Sequence, residues 1–139
     1  MKTPIRYAGG KSKAYNIITE KLPTMPLPER IISPFMGGGS LESRWSSELG
    51  VEVIGYDIFD ALTNFWQVLL TDSDGLADKL ASLPATKDKY QEIKENLIQW
   101  DYTQEMLSEW KTDHYKRDAI TLDNLTAAAY YYHNHNLLH

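Results

Sequence analysis

Hydrophobic positions in the first half of the chain alternate between helical and strand-like spacing. Residues 12–22 carry apolar side chains at helical intervals, and the proline-rich stretch 23–28 that follows must be a connection. Residues 30–33 (RIIS) predict a short buried strand, and residues 51–56 (VEVIGY) predict a second strand. A glycine run and a helix lie between them, an order typical of one half of a doubly wound nucleotide-binding fold.

The helix predicted between the two strands has local start and stop signals. Ser40 is the expected N-terminal cap, and Gly50 is the expected stop. Leu41, Trp45 and Leu49 fall on one face of this helix, so that face is predicted to be buried.

From residue 60 onward the pattern is helical, and no convincing strand is predicted between residues 72 and 120. Asp60 is the expected cap of the first of these helices, and Asp123 is the expected cap of the last. The apolar positions predicted to face the core are Leu62, Phe65, Trp66, Leu69, Leu70, Leu76, Leu80, Leu83, Tyr90, Ile93, Leu97, Trp100, Met106, Trp110, Leu125, Ala128, Ala129 and Tyr132. The predicted fold class is therefore α/β with a helical C-terminal extension.

Composition narrows the class of protein. At 139 residues, with 42% hydrophobic and 24% charged residues, the chain is expected to be one soluble globular domain or a piece of one. Its net charge of −5 argues against a nucleic-acid binder that is basic over its whole surface, although the first 21 residues are locally basic. The absence of cysteine excludes disulfides, thiolate catalysis and cysteine-based zinc sites. No membrane span or signal-peptide core is found, so a cytoplasmic location is expected.

The stretch YAGGKS at residues 7–12 looks like the end of a phosphate-binding loop. Such a loop needs an earlier glycine that falls at Ile5 in this chain, and it needs a buried strand directly before it. Neither requirement is met, so a nucleotide triphosphatase is excluded.

The glycine run at residues 33–40 (SPFMGGGS) joins the first predicted strand to the helix, where a ligand can approach the backbone. Asp57 ends the second strand 20 residues beyond Gly37, the place where a carboxylate meets the ribose of a dinucleotide or an adenosyl group. A ligand-free turn and a plain helix cap are the alternatives. The two features together favour a ligand with an adenosine moiety, and Glu42 in the third-glycine position favours S-adenosylmethionine over a dinucleotide.

Three motifs in order resemble the Dam-type, alpha-class DNA adenine-N6 methyltransferases: Y-A-G-G-K at 7–11, S-P-F-M-G-G-G-S at 33–40 and G-Y-D at 55–57. The resemblance covers essentially the whole chain. It implies a partial Rossmann-like methyltransferase fold, with S-adenosylmethionine as cofactor and adenine N6 of DNA as methyl acceptor. The cofactor-binding residues it implies are Tyr7, Gly9, Gly10, Lys11, Phe35, Gly37, Gly39, Ser40 and Asp57.

The sequence departs from the family pattern at two places, and both change the interpretation of the chain as a methyltransferase. Ser33 stands where the family has an acid, which affects a contact to the methionine amino group. The family's catalytic D-P-P-Y-type motif is absent, because no two of the six prolines are adjacent. No catalytic residue is therefore assigned, and the chain is interpreted as the cofactor-binding front part of a truncated or split enzyme.

This interpretation divides the chain by role. Residues 1–72 are expected to form the S-adenosylmethionine-binding part, and residues 73–139 a helical segment leading towards the family's target-recognition domain. The complete enzyme would bind the DNA, and a second chain could carry the catalytic half. An unfinished sheet edge predicts a homo- or hetero-oligomer.

Two other functions and two minor features stay open. The chain could be a non-catalytic module that acts through a partner chain, or a dinucleotide-dependent oxidoreductase fragment, which Glu42 disfavours. Three histidines, His133, His135 and His139, lie near the end of the last helix, and the pair His135 and His139 could bind a metal. No metal site is predicted, and polar residues at a fraying terminus are the preferred account of all three. The tyrosines at 130–132 could stack on bases, although packing of the last helix through one of them is preferred.

Overall fold

A computed structural model describes residues 4–5, 11–23, 26–106 and 122–138 of the chain. The helices and strands in these ranges are α1 (Tyr15–Thr19), β1 (Arg30–Ser33), α2 (Ser40–Arg44), β2 (Glu52–Gly55), α3 (Asp60–Thr71), α4 (Ser73–Ala81), α5 (Lys87–Met106) and α6 (Asn124–Leu138). Contacts divide the chain into two compact units, which we call the strand unit (Met1–Ile58) and the helical unit (Phe59–His139). This helix-rich architecture with a small parallel sheet is consistent with the predicted α/β class.

The sheet of the strand unit consists of β1 and β2, paired in parallel from Arg30 opposite Glu52 to Ser33 opposite Gly55. Both strands lie within the predicted stretches. The prediction that β1 is buried is wrong, because its side chains alternate between exposed and half-buried and Ile32 is 63% exposed. Side chains of a strand point to opposite faces, and the face of Ile31 packs on a helical cluster while Ile32 lies on the other face.

The cluster beneath the sheet contains the buried side chains of Tyr15, Leu41 and Trp45. The predicted buried face of the helix is thus confirmed, and its second half continues as a π-helical segment, Trp45–Leu49. Trp45 also donates a hydrogen bond from Nε1 to Thr19 Oγ1 at 3.0 Å, so its one polar atom is satisfied.

The ends of α2 are defined by glycines. The predicted stop is confirmed, since Gly50 follows the π-helical segment with a φ of 63°. The predicted cap is wrong: Gly39, with a φ of 70°, occupies the capping position, and Ser40 is the first helical residue. A left-handed backbone conformation at Gly39 starts the helix, and a residue with a side chain adopts that conformation only under strain.

In the helical unit, α6 packs against α3, α4 and α5. Phe65 of α3 is 1% exposed and stacks on Tyr132 of α6 with ring centroids 5.3 Å apart. The predicted face of α3 is correct at Leu62 and Phe65 and wrong at Leu70, which is 79% exposed. Val68 is buried instead, because it lies about one turn beyond Phe65 on the face that meets α6.

Helix starts in this unit follow the expected chemistry only in part. Asp123 caps α6 as predicted, with Oδ1 accepting the Thr126 N–H at 2.7 Å. The prediction for Asp60 is wrong, because Phe59 occupies the capping position without a side-chain cap and Asp60 is the first helical residue. A carboxylate in the first turn still interacts favourably with the helix dipole. No strand occurs in the described residues from 72 to 106, and Met106 ends α5, whereas Trp110 lies outside the described residues.

Polar residues near the end of α6 are buried rather than fraying. His133 is 9% exposed; its Nε2 lies 3.0 Å from the Pro84 carbonyl oxygen, and its Nδ1 lies 2.8 Å from Asn134 Oδ1. Asn134 in turn donates to the carbonyl oxygen of Tyr90 at 2.9 Å. The interpretation of His133 as a fraying polar residue is therefore wrong, because these bonds tie α6 to α5 and to the turn before it. His139 lies outside the described residues.

The tyrosines of α6 pack through two rings rather than one. Tyr132 stacks on Phe65, and Tyr131 meets Phe59 edge to face with centroids 5.7 Å apart. Such pairs belong to the core of the helical unit, so these two side chains serve packing.

Candidate functional site

The turn between β1 and α2, residues 34–39, is the centre of the candidate site, and we call it the glycine loop. Its backbone is bonded to the end of β2: the Met36 N–H donates to the Tyr56 carbonyl oxygen at 2.9 Å. The Tyr56 N–H donates to the Ser33 carbonyl oxygen at 2.7 Å, which extends the parallel pairing by one step. The loop is thus held at the carboxyl ends of both strands, where open α/β sheets bind ligands.

Two glycines of this loop adopt left-handed backbone conformations, Gly37 with a φ of 56° and Gly39 with a φ of 70°. The chain can turn here because glycine has no Cβ to oppose a positive φ. Gly39 is buried and Gly37 is half-buried. The glycines therefore shape the turn itself, whatever ligand the loop receives.

Asp57 is bonded to the glycine loop, so the two features that the sequence indicated, the glycine run and this acid, lie together. It follows β2, is half-buried, and accepts the backbone N–H of Gly37 at 2.9 Å through Oδ2. A carboxylate can accept several hydrogen bonds, so this bond is compatible with a further one to a ligand hydroxyl. The glycine loop and the acid thus occupy one place, at the carboxyl edge of the sheet.

Lys11 and Ser40 meet at the start of α2. The Lys11 N–H donates to Ser40 Oγ at 3.3 Å, so the hydroxyl binds a distant backbone group instead of capping its own helix. The Lys11 residue is exposed. A cationic side chain is therefore anchored by its own backbone next to the end of the glycine loop.

Ser33 and Glu42 form a second link across the glycine loop. The Ser33 hydroxyl donates to Glu42 Oε1 at 2.5 Å, and Glu42 is only 7% exposed. From the sequence, Glu42 is only a mismatch to the dinucleotide fingerprint and is not predicted as a site residue. A glutamate in the first turn of a helix ordinarily faces water, so no local signal marks this one as buried.

Aromatic and aliphatic side chains around the loop stay in contact with water. Phe35 is 78% exposed, Tyr56 57% and Ile58 97%. The Met36 side chain occupies the space that a Cβ on Gly55 would need. The carboxyl edge of the sheet therefore carries exposed apolar surface close to the Asp57 carboxylate.

Comparison with models of protein families identifies the chain. The model of the D12 class N6 adenine-specific DNA methyltransferases matches residues 7–138. The chain belongs to this family. The resemblance to the Dam-type adenine methyltransferases is thereby confirmed, and the family's substrate is adenine in DNA. No curated protein and no solved structure matches the chain.

Six of the nine residues that the resemblance assigns to the cofactor lie in the described part of this D12-class chain. They are Lys11, Phe35, Gly37, Gly39, Ser40 and Asp57. Phe35, Gly37 and Gly39 belong to the glycine loop, and Ser40 follows it. Asp57 is bonded to Gly37, and Lys11 is bonded to Ser40. Tyr7, Gly9 and Gly10 lie outside the described residues.

Two ionisable groups behind the site have shifted pKa values, and both serve packing. Burial raises the pKa of Tyr15, with a further contribution from its hydrogen bond to Glu48 at 3.0 Å. The hydrogen bond from Arg44 lowers the pKa of the Glu48 carboxyl, and the Tyr15 hydroxyl adds to that effect. The Arg44 guanidinium lies 3.5 Å above the Tyr15 ring, so the three side chains form one closed group.

Other kinds of site are not found in the described ranges. No group of three or more histidine, aspartate or glutamate side chains there lies close enough to hold a metal ion. No described helix is long and apolar enough to cross a membrane.

Proposed function

We propose that this chain is the cofactor-binding part of an S-adenosylmethionine-dependent DNA adenine-N6 methyltransferase. The observation that carries the proposal is the bond between the Gly37 N–H and the Asp57 carboxylate in a member of the D12 family. It brings a glycine turn and an acid to the carboxyl ends of adjacent parallel strands, the arrangement of a Rossmann-like half.

The chemistry of the described residues fits S-adenosylmethionine. The exposed Lys11 is suited to the cofactor's carboxylate as a charged donor, and Asp57 is suited to its ribose hydroxyls as an acceptor. The positive φ values of Gly37 and Gly39 create a turn that lacks side chains, which a ligand can approach closely. Phe35 and Ser40 complete the described set, and Tyr7, Gly9 and Gly10 are proposed for the methionine end.

Bound S-adenosylmethionine would supply an electrophilic methyl group for the adenine N6 amine of the DNA substrate. The part of this chain would be to bind and orient the cofactor, since accurate placement of the two reactants supplies much of the rate in such transfers. No catalytic residue is assigned, because the chain contains no adjacent prolines and hence no D-P-P-Y-type motif. We infer that the group that holds the flipped adenine comes from outside this sequence and that this chain alone is inactive.

The same reasoning predicts a partner. In the described residues the sheet has two strands, and Ile32 on its uncovered face is 63% exposed. Unpaired strand edges invite pairing with another chain, so we propose a homo- or hetero-oligomer. Light scattering coupled to gel filtration tests this, and a stable monomer at high concentration would contradict it.

A dinucleotide-binding oxidoreductase fragment is the competing function for the same loop. Its fingerprint requires a third glycine for close approach of helix and strand, and Glu42 takes that place with a buried carboxylate. A non-catalytic module that acts through a partner chain remains the second alternative, because it needs no ligand at the glycine loop.

Calorimetric titration separates these functions. We expect saturable binding of S-adenosylmethionine and none of NAD, with Asp57→Ala weakening the affinity at least about tenfold, because a hydrogen bond to a charged group is lost. The matched control is Asp60→Ala, an exposed acid three residues further on that has no place in the site. Tight binding of NAD, or unchanged binding of S-adenosylmethionine by Asp57→Ala, would overturn the proposal.

A further inference from the structure

We propose that Met36 and Gly55 form a size-matched contact that positions the glycine loop against β2, so that Met36 is a positioning residue for the S-adenosylmethionine site. This inference rests on the proposed function and goes beyond it, because neither residue is among those assigned to the cofactor. The side chain of Met36 sets where the loop lies, and the missing side chain of Gly55 provides the room that Met36 needs.

The first observation is that the backbone of Gly55 does not require glycine. The glycines with a positive φ are Gly37, Gly39 and Gly50, so an alanine could adopt the backbone conformation of Gly55 without strain. A Cβ on Gly55, however, would overlap Met36 Sδ and would lie 3.1 Å from Met36 Cγ and 3.3 Å from Met36 Cβ. Carbon atoms in favourable contact are about 3.5–4.0 Å apart. The reason for glycine at this position is therefore steric, and it concerns Met36.

The second observation is that this contact lies outside the buried cluster of the strand unit. Met36 is half-buried and Gly55 is exposed. Gly55 shares a face of β2 with Val53, which packs against the cluster beneath the sheet. The Met36 side chain therefore lies beyond Val53 on that face, towards the carboxyl edge. Loss of this contact should leave most of the packing of the unit in place.

The third observation is that the glycine loop contacts three consecutive residues at the end of β2. The Met36 side chain lies beside Gly55, and the Met36 N–H donates to the Tyr56 carbonyl oxygen at 2.9 Å. The next N–H along the chain, that of Gly37, donates to Asp57 Oδ2 at 2.9 Å. Because Met36 and Gly37 are neighbours, a displacement of Met36 also displaces the Gly37 N–H from the carboxylate.

An added methyl group on Gly55 would produce such a displacement. Met36 Sδ could swing away by rotation about side-chain bonds, but Met36 Cβ is fixed to the backbone that donates to Tyr56. A contact at 3.3 Å requires that Cβ to move by a few tenths of an ångström. Ligand sites depend on placement within about 0.5 Å, so a shift of the loop is expected to weaken binding.

The test is a double-mutant cycle read by calorimetric titration of S-adenosylmethionine. We expect Gly55→Ala to weaken the affinity about tenfold. In a chain that also carries Met36→Ala, the same change should cost less than about twofold, because Sδ and Cγ are then absent. Met36→Leu keeps the volume of the side chain, and its affinity should stay within about threefold of that of the wild type.

The matched control is Gly50→Ala in the same unit. A Cβ at Gly50 would meet no atom within 4 Å, and the φ of +63° makes this variant strained. It should lower the melting temperature and leave the affinity for S-adenosylmethionine unchanged. Hydrogen exchange adds a second readout, since the Gly37 amide should exchange faster in Gly55→Ala but not in Gly50→Ala. A loss of stability is thereby separated from a loss of positioning.

The outcomes distinguish this inference from the proposed function. Equal affinity of wild type and Gly55→Ala, or the same cost of Gly55→Ala with and without the Met36 side chain, would overturn the inference and leave the proposed function standing. Failure of the wild type to bind S-adenosylmethionine would overturn both. Circular dichroism melts show whether each variant is folded. If Gly55→Ala does not fold, wild-type affinity in Met36→Ala would overturn the inference, whereas a loss in Met36→Ala that Met36→Leu does not share would support it.

Discussion

The two units of this chain are organised by different forces. In the strand unit, three side chains form a small buried cluster, while several large apolar residues are exposed, among them Ile32, Phe35 and Ile58. In the helical unit, Phe65, Leu62 and Ile93 are the largest side chains that are fully buried. The loop of the candidate site is held by backbone hydrogen bonds and left-handed glycines, whereas the helical unit is held mainly by side-chain packing.

The ligand site that we propose for the strand unit would account for this difference. A ligand site needs backbone that can be approached and polar groups that water can reach, so it has little area left for a core. No ligand site is proposed in the described part of the helical unit, so its side chains can pack into a core. Its α6 presents three consecutive buried alanines, residues 127–129, and small side chains of this kind let neighbouring helices approach closely.

The largest effect is expected from Phe65→Ala in the helical unit. Phe65 is 1% exposed and stacks on Tyr132, so its removal leaves a cavity and should lower the free energy of unfolding by about 3–5 kcal/mol. Urea denaturation followed by circular dichroism measures this loss. The matched control is Leu70→Ala on the same helix, where the side chain is 79% exposed and a change under about 0.5 kcal/mol is expected.

Equal losses for Phe65→Ala and Leu70→Ala would show that packing does not stabilise the helical unit. Hydrogen exchange sharpens the comparison, because amides of residues 59–106 should lose protection in Phe65→Ala. A loss confined to residues 11–58 would contradict the division of forces described above.

A smaller effect is expected from Gly50→Ala in the strand unit. A Cβ at Gly50 would meet no atom within 4 Å, and the φ is +63°, so the cost is backbone strain alone, about 1–2 kcal/mol. Gly50→Asn should cost less, because asparagine tolerates this conformation better. Thermal melts compare the two variants, and an equal loss for alanine and asparagine would argue against the left-handed backbone as the cause.

The smallest effect is expected at the cap of α6. Asp123→Ala should lower the free energy of unfolding by about 0.5–2 kcal/mol at neutral pH, since the Thr126 N–H loses its acceptor. The bond from the Thr126 backbone lowers the pKa of the folded Asp123 carboxyl, so its contribution is present above the unfolded pKa and is lost as pH falls through the folded pKa.

Urea titrations across the acid range measure this linkage. The gap in stability between wild type and Asp123→Ala should narrow below about pH 4, the ordinary range of an aspartate. Asp123→Asn keeps an acceptor that does not titrate, so its own contribution should stay constant across the same range. A gap between wild type and Asp123→Ala that is independent of pH would contradict the assigned cap.

Local signals determined much of this fold. The strand at residues 30–33, the stop at Gly50 and the cap at Asp123 were all predicted, because each depends on residues adjacent in sequence. The family was predicted from three short motifs for a similar reason, since the spacing of glycines and acids reflects local backbone requirements. The buried faces of α5 and of the π-helical segment that continues α2 followed from helical periodicity, as Trp100 and Trp45 illustrate.

Other features were decided by contacts between distant residues. The hydroxyl of Ser40 accepts the backbone N–H of Lys11, 29 residues earlier, and Gly39 occupies the capping position of α2 instead of Ser40. Which face of α3 is buried depended on α6, and this exposed Leu70 and buried Val68.

The burial of Glu42 and of His133 shows most clearly which features local sequence patterns do not predict. Each is a polar residue on a helix, and solvent exposure is the ordinary expectation for such positions. Glu42 is buried by the bond that Ser33 makes across the glycine loop, and His133 by its bond to the carbonyl oxygen of Pro84, 49 residues away. The sequence alone therefore determined the elements and the family of this protein, through local conformational preferences. Tertiary structure alone decided that Glu42 and His133 are buried against polar partners, because those partners lie outside the helices that carry them.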